Sequence, residues 1–143
     1  MSRSGYSEDL DNWDLIRWRG AVESAMKGRR GQDLLRQLLH AMDELEDKRL
    51  AGSTLQAEDG TFCMLGLAAH AKDVDVSDLV PDNFDPDYYD DFPAETLAKR
   101  LDIAPAMAKE VMFMNDEIFV GTQESRFDMA RNWLVKNIRD DAV

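Results

Sequence analysis

Apolar residues recur at steps of three and four through two long segments near the start of the chain. Residues 12–27 carry Leu15, Trp18, Val22 and Ala25, and residues 32–45 carry Leu34, Leu35, Leu38, Leu39, Met42 and Leu45. This spacing places the apolar side chains on one face of an α-helix. We therefore predict two helices, the second with the stronger apolar stripe, joined by a short turn that contains two glycines.

Four further helices are predicted, at residues 65–72, 94–101, 105–114 and 122–138. Residues 49–63 have a hairpin pattern and not a helical one. Two short arms flank Asp59-Gly60, a dipeptide typical of tight hairpin turns. The pattern predicts a mainly α protein: a compact bundle of about five to six helices with a small β-hairpin near residues 49–63.

The length of the chain limits the number of domains, and its charge limits the classes of partner that we expect. A chain of 143 residues fits a single domain over residues 1–143. It has 17 basic and 29 acidic residues, a net charge of −12. Direct binding to nucleic acid or to an anionic membrane needs clustered cations, so we expect neither. A host protein with a basic cleft is the partner that this charge favours, and the oligomeric state stays open.

Targeting signals are not recognisable in the sequence. Cys63 is the only cysteine, so no intramolecular disulfide can form. The first residues lack the apolar core of a secretory signal, and no apolar run approaches the ~18 residues of a membrane span. We therefore expect a cytoplasmic protein.

An acidic aromatic segment occupies residues 73–95 and contains no Lys or Arg. Like charges favour an exposed chain, whereas aromatic rings favour contact with an apolar surface. The segment is thus either a solvated loop held by its rings or a docking surface for a basic partner. The candidate partner-binding residues are Asp82, Asp85, Asp87, Tyr88, Tyr89, Asp90, Asp91 and Phe92.

A basic cluster near the first turn offers an alternative binding site, for an anion such as a nucleotide. Its residues are Arg17, Arg19, Lys27, Arg29 and Arg30. The last two stand at the start of the second helix, where free N–H groups and the helix dipole favour anions. The Walker spacing is absent. The same cations can equally pair with the acidic segment or remain solvated.

No convincing catalytic or metal-binding constellation is present, so we expect neither an enzyme nor a cofactor. Cys63 and His70 are seven residues apart, about two helical turns, which is too far for a hydrogen bond within one helix. One cysteine and two distant histidines cannot form a structural zinc site. The acidic segment lacks the ligand ladder of a calcium loop.

Residues 95–111 look like a helix-turn-helix, with apolar residues at the positions where that motif has its core. Those residues are Leu97, Ala98, Leu101, Ile103, Met107 and Val111. Asp102 stands where a turn glycine is usual, and the second helix offers only Lys109 for reading bases. A helix-turn-helix regulator is therefore a weaker alternative than two helices packed at a tight corner.

Several blocks of the chain together resemble a family of small phage- and prophage-encoded proteins. They are Ser4-Gly5-Tyr6, Ile16-Arg17-Trp18-Arg19-Gly20-Ala21-Val22, Gly28-Arg29-Arg30-Gly31-Gln32, Asp59-Gly60, Cys63-Met64-Leu65-Gly66, Met114-Asn115-Asp116-Glu117 and the helix from Arg126 to Trp133. The family has no assigned activity, so the resemblance implies only a phage context and the cytoplasm of a bacterial host. By analogy with small acidic phage proteins, we expect a non-enzymatic inhibitor of a host nucleic-acid-handling or defence complex, similar to an anti-CRISPR protein, whose carboxylates imitate phosphates.

Overall fold

The computed structural model describes residues 12–79 and 94–139, with side chains from Ile16 onward. Within these ranges the chain forms α1 (Asn12–Lys27), α2 (Arg29–Glu44), α3 (Met64–Ala71), α4 (Ala94–Leu101), α5 (Pro105–Phe113) and α6 (Gln123–Asn137). A 3₁₀ turn covers Ser77–Leu79, and a π-helical turn, Met114–Ile118, continues α5. The prediction of a mainly α protein is confirmed.

The core is built on α2, whose apolar stripe is fully buried at Leu34, Leu35, Leu38 and Met42. Helix α3 buries six consecutive residues, Met64–Ala69. A Cβ at Gly66 would overlap the carbonyl oxygen of Leu55, so this small residue allows the neighbouring loop to approach closely. Helices α4, α5 and α6 close the cluster. Helix α1 is peripheral: among its described side chains none is fully buried, and Ala25 and Met26 are only partly covered.

The predicted β-hairpin near residues 49–63 is wrong. Of the described residues there, only Gln56 and Phe62 form an antiparallel bridge, around a turn closed by Ala57 and Thr61. Beyond this bridge the arms share two separate backbone hydrogen bonds, from the N–H of Ala51 to the carbonyl oxygen of Phe62 at 2.8 Å and from the N–H of Cys63 to that of Leu55 at 3.2 Å, and no regular strand forms. Ser53 has a φ of 60° and donates its backbone N–H to Asp116, while Cys63 already caps α3.

A sharp corner joins α1 to α2 through the single residue Gly28. Gly31, in the first turn of α2, is buried against the backbone at the end of α1. A Cβ at this position would overlap the carbonyl oxygen of Ala25. Only glycine therefore allows the two backbones to approach this closely.

Candidate functional sites: a basic groove and an acidic face

The structure divides the predicted basic cluster between different surfaces. Arg19 and Lys27 lie on one face of α1 and border a groove. Arg17, two positions before Arg19, is about 200° around the helix axis and does not line that groove. Arg29 and Arg30 are exposed at the start of α2, and Arg30 forms an ion pair with Asp102 at 3.3 Å. The five cations therefore do not converge on one anion site.

The α1–α6 groove lies between α1, the start of α2, α5 and the end of α6. Its volume is about 530 Å³, and its lining residues are Trp18, Arg19, Val22, Glu23, Met26, Lys27, Gln32, Glu110, Lys136, Asn137 and Arg139. Four of these are cations and two are carboxylates, one of which, Glu23, is paired with Lys27 at 2.6 Å. The hydrogen bond and charge of Lys27 lower the pKa of Glu23. The groove is thus cationic on a protein of net charge −12.

Gln32 fixes one end of this groove. Its side chain is buried, and Nε2 donates to the carbonyl oxygens of Met26 at 2.8 Å and Asn137 at 3.1 Å. Its Oε1 accepts the backbone N–H of Arg139 at 2.8 Å. A single side chain therefore ties the end of α1 to the residues that follow α6, and this places Lys136 and Arg139 opposite α1.

Lys136 and Arg139 were missed by sequence reasoning, because more than 100 positions separate them from α1. Within Gly28-Arg29-Arg30-Gly31-Gln32, the adjacent glycine and glutamine are a sequence feature that indicates this end of the groove. Gly31 permits the tight corner, and Gln32 is the polar residue buried beside it. A glutamine that lies within an apolar stripe is expected to be buried, and a buried side-chain amide usually forms hydrogen bonds with backbone groups nearby.

All eight predicted partner-binding residues of the acidic segment, from Asp82 to Phe92, lie outside the described residues. The chain leading into them is well anchored. Arg100 donates to both carboxylate oxygens of Asp78, at 2.6 and 2.8 Å, and this lowers the pKa of Asp78. Leu79 and Ala94, on either side of residues 80–93, are both buried.

An acidic face is present among the described residues, centred on Phe62. This side chain lines two neighbouring hollows of about 250 and 480 Å³. Glu46, Asp47 and Asp59 border the first and Asp75 borders the second, against the single guanidinium of Arg49. We call these four carboxylates and Phe62 the Phe62 face.

Local hydrogen bonds lower the pKa of two carboxylates of the Phe62 face. Asp59 accepts the backbone N–H of Thr61 at 3.0 Å, and this bond lowers its pKa. Asp75 accepts the backbone N–H of Ser77 at 3.0 Å, with the same effect on its pKa. The His70 ring stacks on Phe62 with a centroid separation of 4.9 Å. The face thus combines negative charge with an aromatic pair.

Cys63 has a structural role. It is buried and is the N-cap of α3, where its Sγ accepts the backbone N–H of Gly66 at 3.4 Å. His70 is exposed and packs on Phe62. In residues 12–79 and 94–139, no group of three or more His, Cys, Asp or Glu side chains could hold a metal ion.

Helices α4 and α5 meet at the tight corner that the helix-turn-helix pattern predicts. All six expected core positions are buried. Asp102 has a φ of 56°, the left-handed conformation for which a turn glycine is usual. Helix α5, however, is a core element, and Pro105 is its only exposed residue. This burial agrees with two helices packed at a tight corner, and the helix-turn-helix regulator stays a weaker alternative.

A buried polar network joins three of the sequence blocks. Asn115 is 1% exposed. Its Oδ1 accepts the N–H of Met64 at 3.1 Å, and its Nδ2 donates to the carbonyl oxygen of Ala51 at 3.0 Å and to Asp116 at 2.8 Å. Arg126 donates to the Asn115 carbonyl oxygen at 2.9 Å. The π-helical turn thereby connects α3, α6 and the loop between α2 and α3.

The described helices include none that is both long and apolar enough to cross a membrane. Comparison of the chain with protein-family models, with curated proteins and with solved structures finds no match.

Proposed function

We propose that this protein works by binding a basic protein partner through acidic residues. Two groups of residues are candidates for this contact: the Phe62 face and the acidic aromatic segment, of which residues 80–93 lie outside the described residues. The observation that carries the proposal is the arrangement around Phe62, where four carboxylates and one guanidinium surround a half-buried aromatic ring. Charge of one sign steers a partner of the opposite sign, and a central aromatic residue supplies the contact energy.

A nucleic-acid-handling complex of a bacterial host is the kind of partner we propose. Its binding cleft carries cations spaced to meet phosphates, and carboxylates along an exposed surface can occupy the same cations. Asp carboxyls are ionised at neutral pH, and the hydrogen bonds that lower the pKa of Asp59 and Asp75 extend this charge to more acidic conditions. Binding of this type blocks the cleft without any chemical reaction, as the anti-CRISPR analogy implies.

The experiment compares two matched charge variants of the full chain as bait in bacterial lysate. The first changes Asp47, Asp59 and Asp75 to Asn, which retains a side-chain oxygen for the hydrogen bonds from Thr61 and Ser77. The control changes Glu117, Glu124 and Asp128, exposed carboxylates that line neither hollow, to Gln or Asn. Both variants lose three charges, so general repulsion changes equally.

We expect the control to capture the same partner as the wild type, and the Phe62-face variant to lose it. With the purified partner, the Phe62-face variant should associate about tenfold more slowly at low salt, because surface charge steers encounter. Changing Asp85, Asp87, Asp90 and Asp91 together to Asn should have the same effect, whereas changing Tyr88 and Tyr89 to Ala should speed dissociation. The nucleic acid bound by the partner should compete with the wild type.

Equal capture and equal kinetics for the two triple variants would refute the role of the Phe62 face. Simultaneous binding of the protein and nucleic acid to the partner would refute occupation of the cleft.

A further inference from the structure

The larger hollow of the Phe62 face has the chemistry of a pocket for one arginine side chain. We propose that the basic partner inserts an arginine there, with its aliphatic stem on an apolar floor and its guanidinium at Asp75. This inference rests on the proposed function, which supplies the basic partner. The volume of about 480 Å³ lies within the roughly 300–1,000 Å³ of ligand sites, so the hollow can take the side chain together with adjoining peptide backbone.

The floor of the hollow is apolar and comes from three segments of the chain. Leu55, from the loop between α2 and α3, and Ala69, from α3, are buried there. Val74 and Val76, which follow α3, are partly buried and pack against the core. The methylene groups of an arginine can cover such a floor while the charged head stays at the rim.

An aromatic pair lines the same hollow. Phe62 is half-buried, His70 is exposed, and their rings stack at 4.9 Å with an angle of 27° between the planes. The pair stays intact in the proposed complex, because the arginine contacts the ring surface that already lines the hollow. A guanidinium is planar and weakly hydrated, so it packs on aromatic rings better than the ammonium of lysine does. The pair therefore favours arginine over lysine.

Asp75 supplies the charge of the hollow. Of the described residues that line it, Asp75 is the only Asp, Glu, Lys or Arg. Its Oδ1 accepts both the N–H of Ser77 at 3.0 Å and the hydroxyl at 2.7 Å, and these bonds orient the carboxylate. Arg100 donates to the carboxylate of Asp78 and to the backbone carbonyl oxygen of Asp75, at 3.2 Å. An incoming guanidinium can therefore form a charge-assisted pair with the Asp75 carboxylate.

The smaller hollow, on the other side of Phe62, has a different character. Its carboxylates are Glu46, Asp47 and Asp59, and Arg49 forms ion pairs with Asp47 at 3.4 Å and Asp59 at 3.9 Å. Further cations of the partner segment can meet these carboxylates, whether they are lysines or arginines. The smaller hollow thus responds to charge, whereas the larger one selects arginine.

The test measures binding of three labelled hexapeptides to the full chain by fluorescence anisotropy. The first is hexalysine, the second has arginine at its third position, and the third has citrulline, the neutral isostere of arginine, at that position. The first two carry equal charge, so their affinities differ only through the side chain. We expect the arginine peptide to bind about fivefold more tightly than hexalysine, and the citrulline peptide to bind more weakly than both.

Two matched variants locate the preference. Asp75→Asn retains an oxygen for the hydrogen bonds from Ser77 but removes the charge of the larger hollow, and it should make the arginine and lysine peptides bind equally. Asp47→Asn removes one charge from the smaller hollow, and it should weaken both peptides while the preference for arginine remains. Phe62→Leu should also reduce the preference, because it retains an apolar side chain but removes the ring. Circular dichroism checks the fold of each variant.

Equal binding of the arginine and lysine peptides to the wild type would overturn the arginine pocket and leave a contact based on charge alone. A preference for arginine that survives in Asp75→Asn would overturn it too, because the guanidinium would then bind elsewhere. Binding of the citrulline peptide as tight as that of the arginine peptide would show that the hollow recognises an uncharged side chain. Failure of all three peptides to bind would overturn the pocket and refute the role of the Phe62 face in the proposed function.

Discussion

Asn115→Asp should destabilise the protein strongly, and the deficit should depend on pH. The change is isosteric, so it creates no cavity and no steric clash. It retains Oδ1, which accepts the N–H of Met64, and replaces the Nδ2 group that donates to Ala51 and Asp116. The consequences therefore come from hydrogen bonding and charge alone.

The magnitude follows from the two lost donors. A neutral hydrogen bond contributes about 0.5–1.5 kcal/mol and one to a charged group about 1.5–3 kcal/mol. Their loss in a buried site should lower the free energy of unfolding by about 3 kcal/mol at neutral pH. This corresponds to a decrease in Tm of roughly 10 °C for a domain of this size.

The sign of the pH dependence is fixed by the environment of the new carboxyl. Burial, the carbonyl oxygen of Ala51 and the carboxylate of Asp116 all disfavour its ionised form, so its pKa in the folded state is raised. A group with a raised folded pKa contributes most stability below its unfolded pKa, ~4 for Asp, and loses that contribution as the pH rises through the folded value. The deficit should therefore be smallest in acid and complete at neutral pH.

Urea unfolding between pH 4 and 8 measures this deficit. Asn132→Asp on the exposed side of α6 is the matched control, and it should differ little from the wild type at any pH. A midpoint for Asn115→Asp equal to that of the wild type at pH 7, or a deficit independent of pH, would show that Asn115 does not hold the three segments together.

Four further predictions concern stability, and each is checked by urea or thermal unfolding. Leu38→Ala, in the fully buried stripe of α2, should cost about 2–5 kcal/mol, and an unchanged midpoint would contradict the placement of the core. Gly31→Ala should destabilise the fold, because the new Cβ would meet the carbonyl oxygen of Ala25. Gly20→Ala, whose Cβ has nothing within 4 Å, should stabilise the fold by roughly 0.5–1 kcal/mol. Equal changes in the unfolding midpoint for the two variants would refute the close approach at Gly31. Cys63→Ser should keep the N-cap hydrogen bond from the N–H of Gly66, whereas Cys63→Ala should lose it and about 1 kcal/mol of stability. We therefore expect the serine variant to be the more stable of the two. The reverse order would show that the thiol acts only by packing. The ion pair with Arg131 lowers the pKa of Asp43, so it stabilises the folded state above the ordinary pKa of Asp, ~4, and this contribution is lost as the pH falls below that value. Asp43→Asn removes the pair and should therefore lose less stability than the wild type over this acid range. Equal losses of stability in the two proteins would show that the pair does not stabilise the fold.

Local patterns in the sequence predicted most of the helices. The apolar steps of α2 and the buried positions of α4 and α5 were correctly predicted, because each depends on residues within one or two helical turns. The β-hairpin failed for the opposite reason. Asp59-Gly60 does form a turn, but Ser53 has a left-handed backbone and donates its N–H to Asp116 of the π-helical turn, and no local pattern predicts that distant contact. The left-handed backbone of Asp102 was not predicted, because an aspartate departs from the glycine that is usual at such a turn.

Side-chain periodicity was enough to locate the helices and to identify their apolar faces. The imbalance between 17 basic and 29 acidic residues likewise follows from composition. Which charges meet could be learned only from the three-dimensional structure. It separated Arg29 and Arg30 from Arg19, joined Arg19 to Lys136 and Arg139 through Gln32, and gathered Asp47, Asp59 and Asp75 around Phe62. Such groupings depend on how helices far apart in the chain pack together, and that packing is set by buried side chains such as Gln32 and Asn115 and by the glycine at position 31.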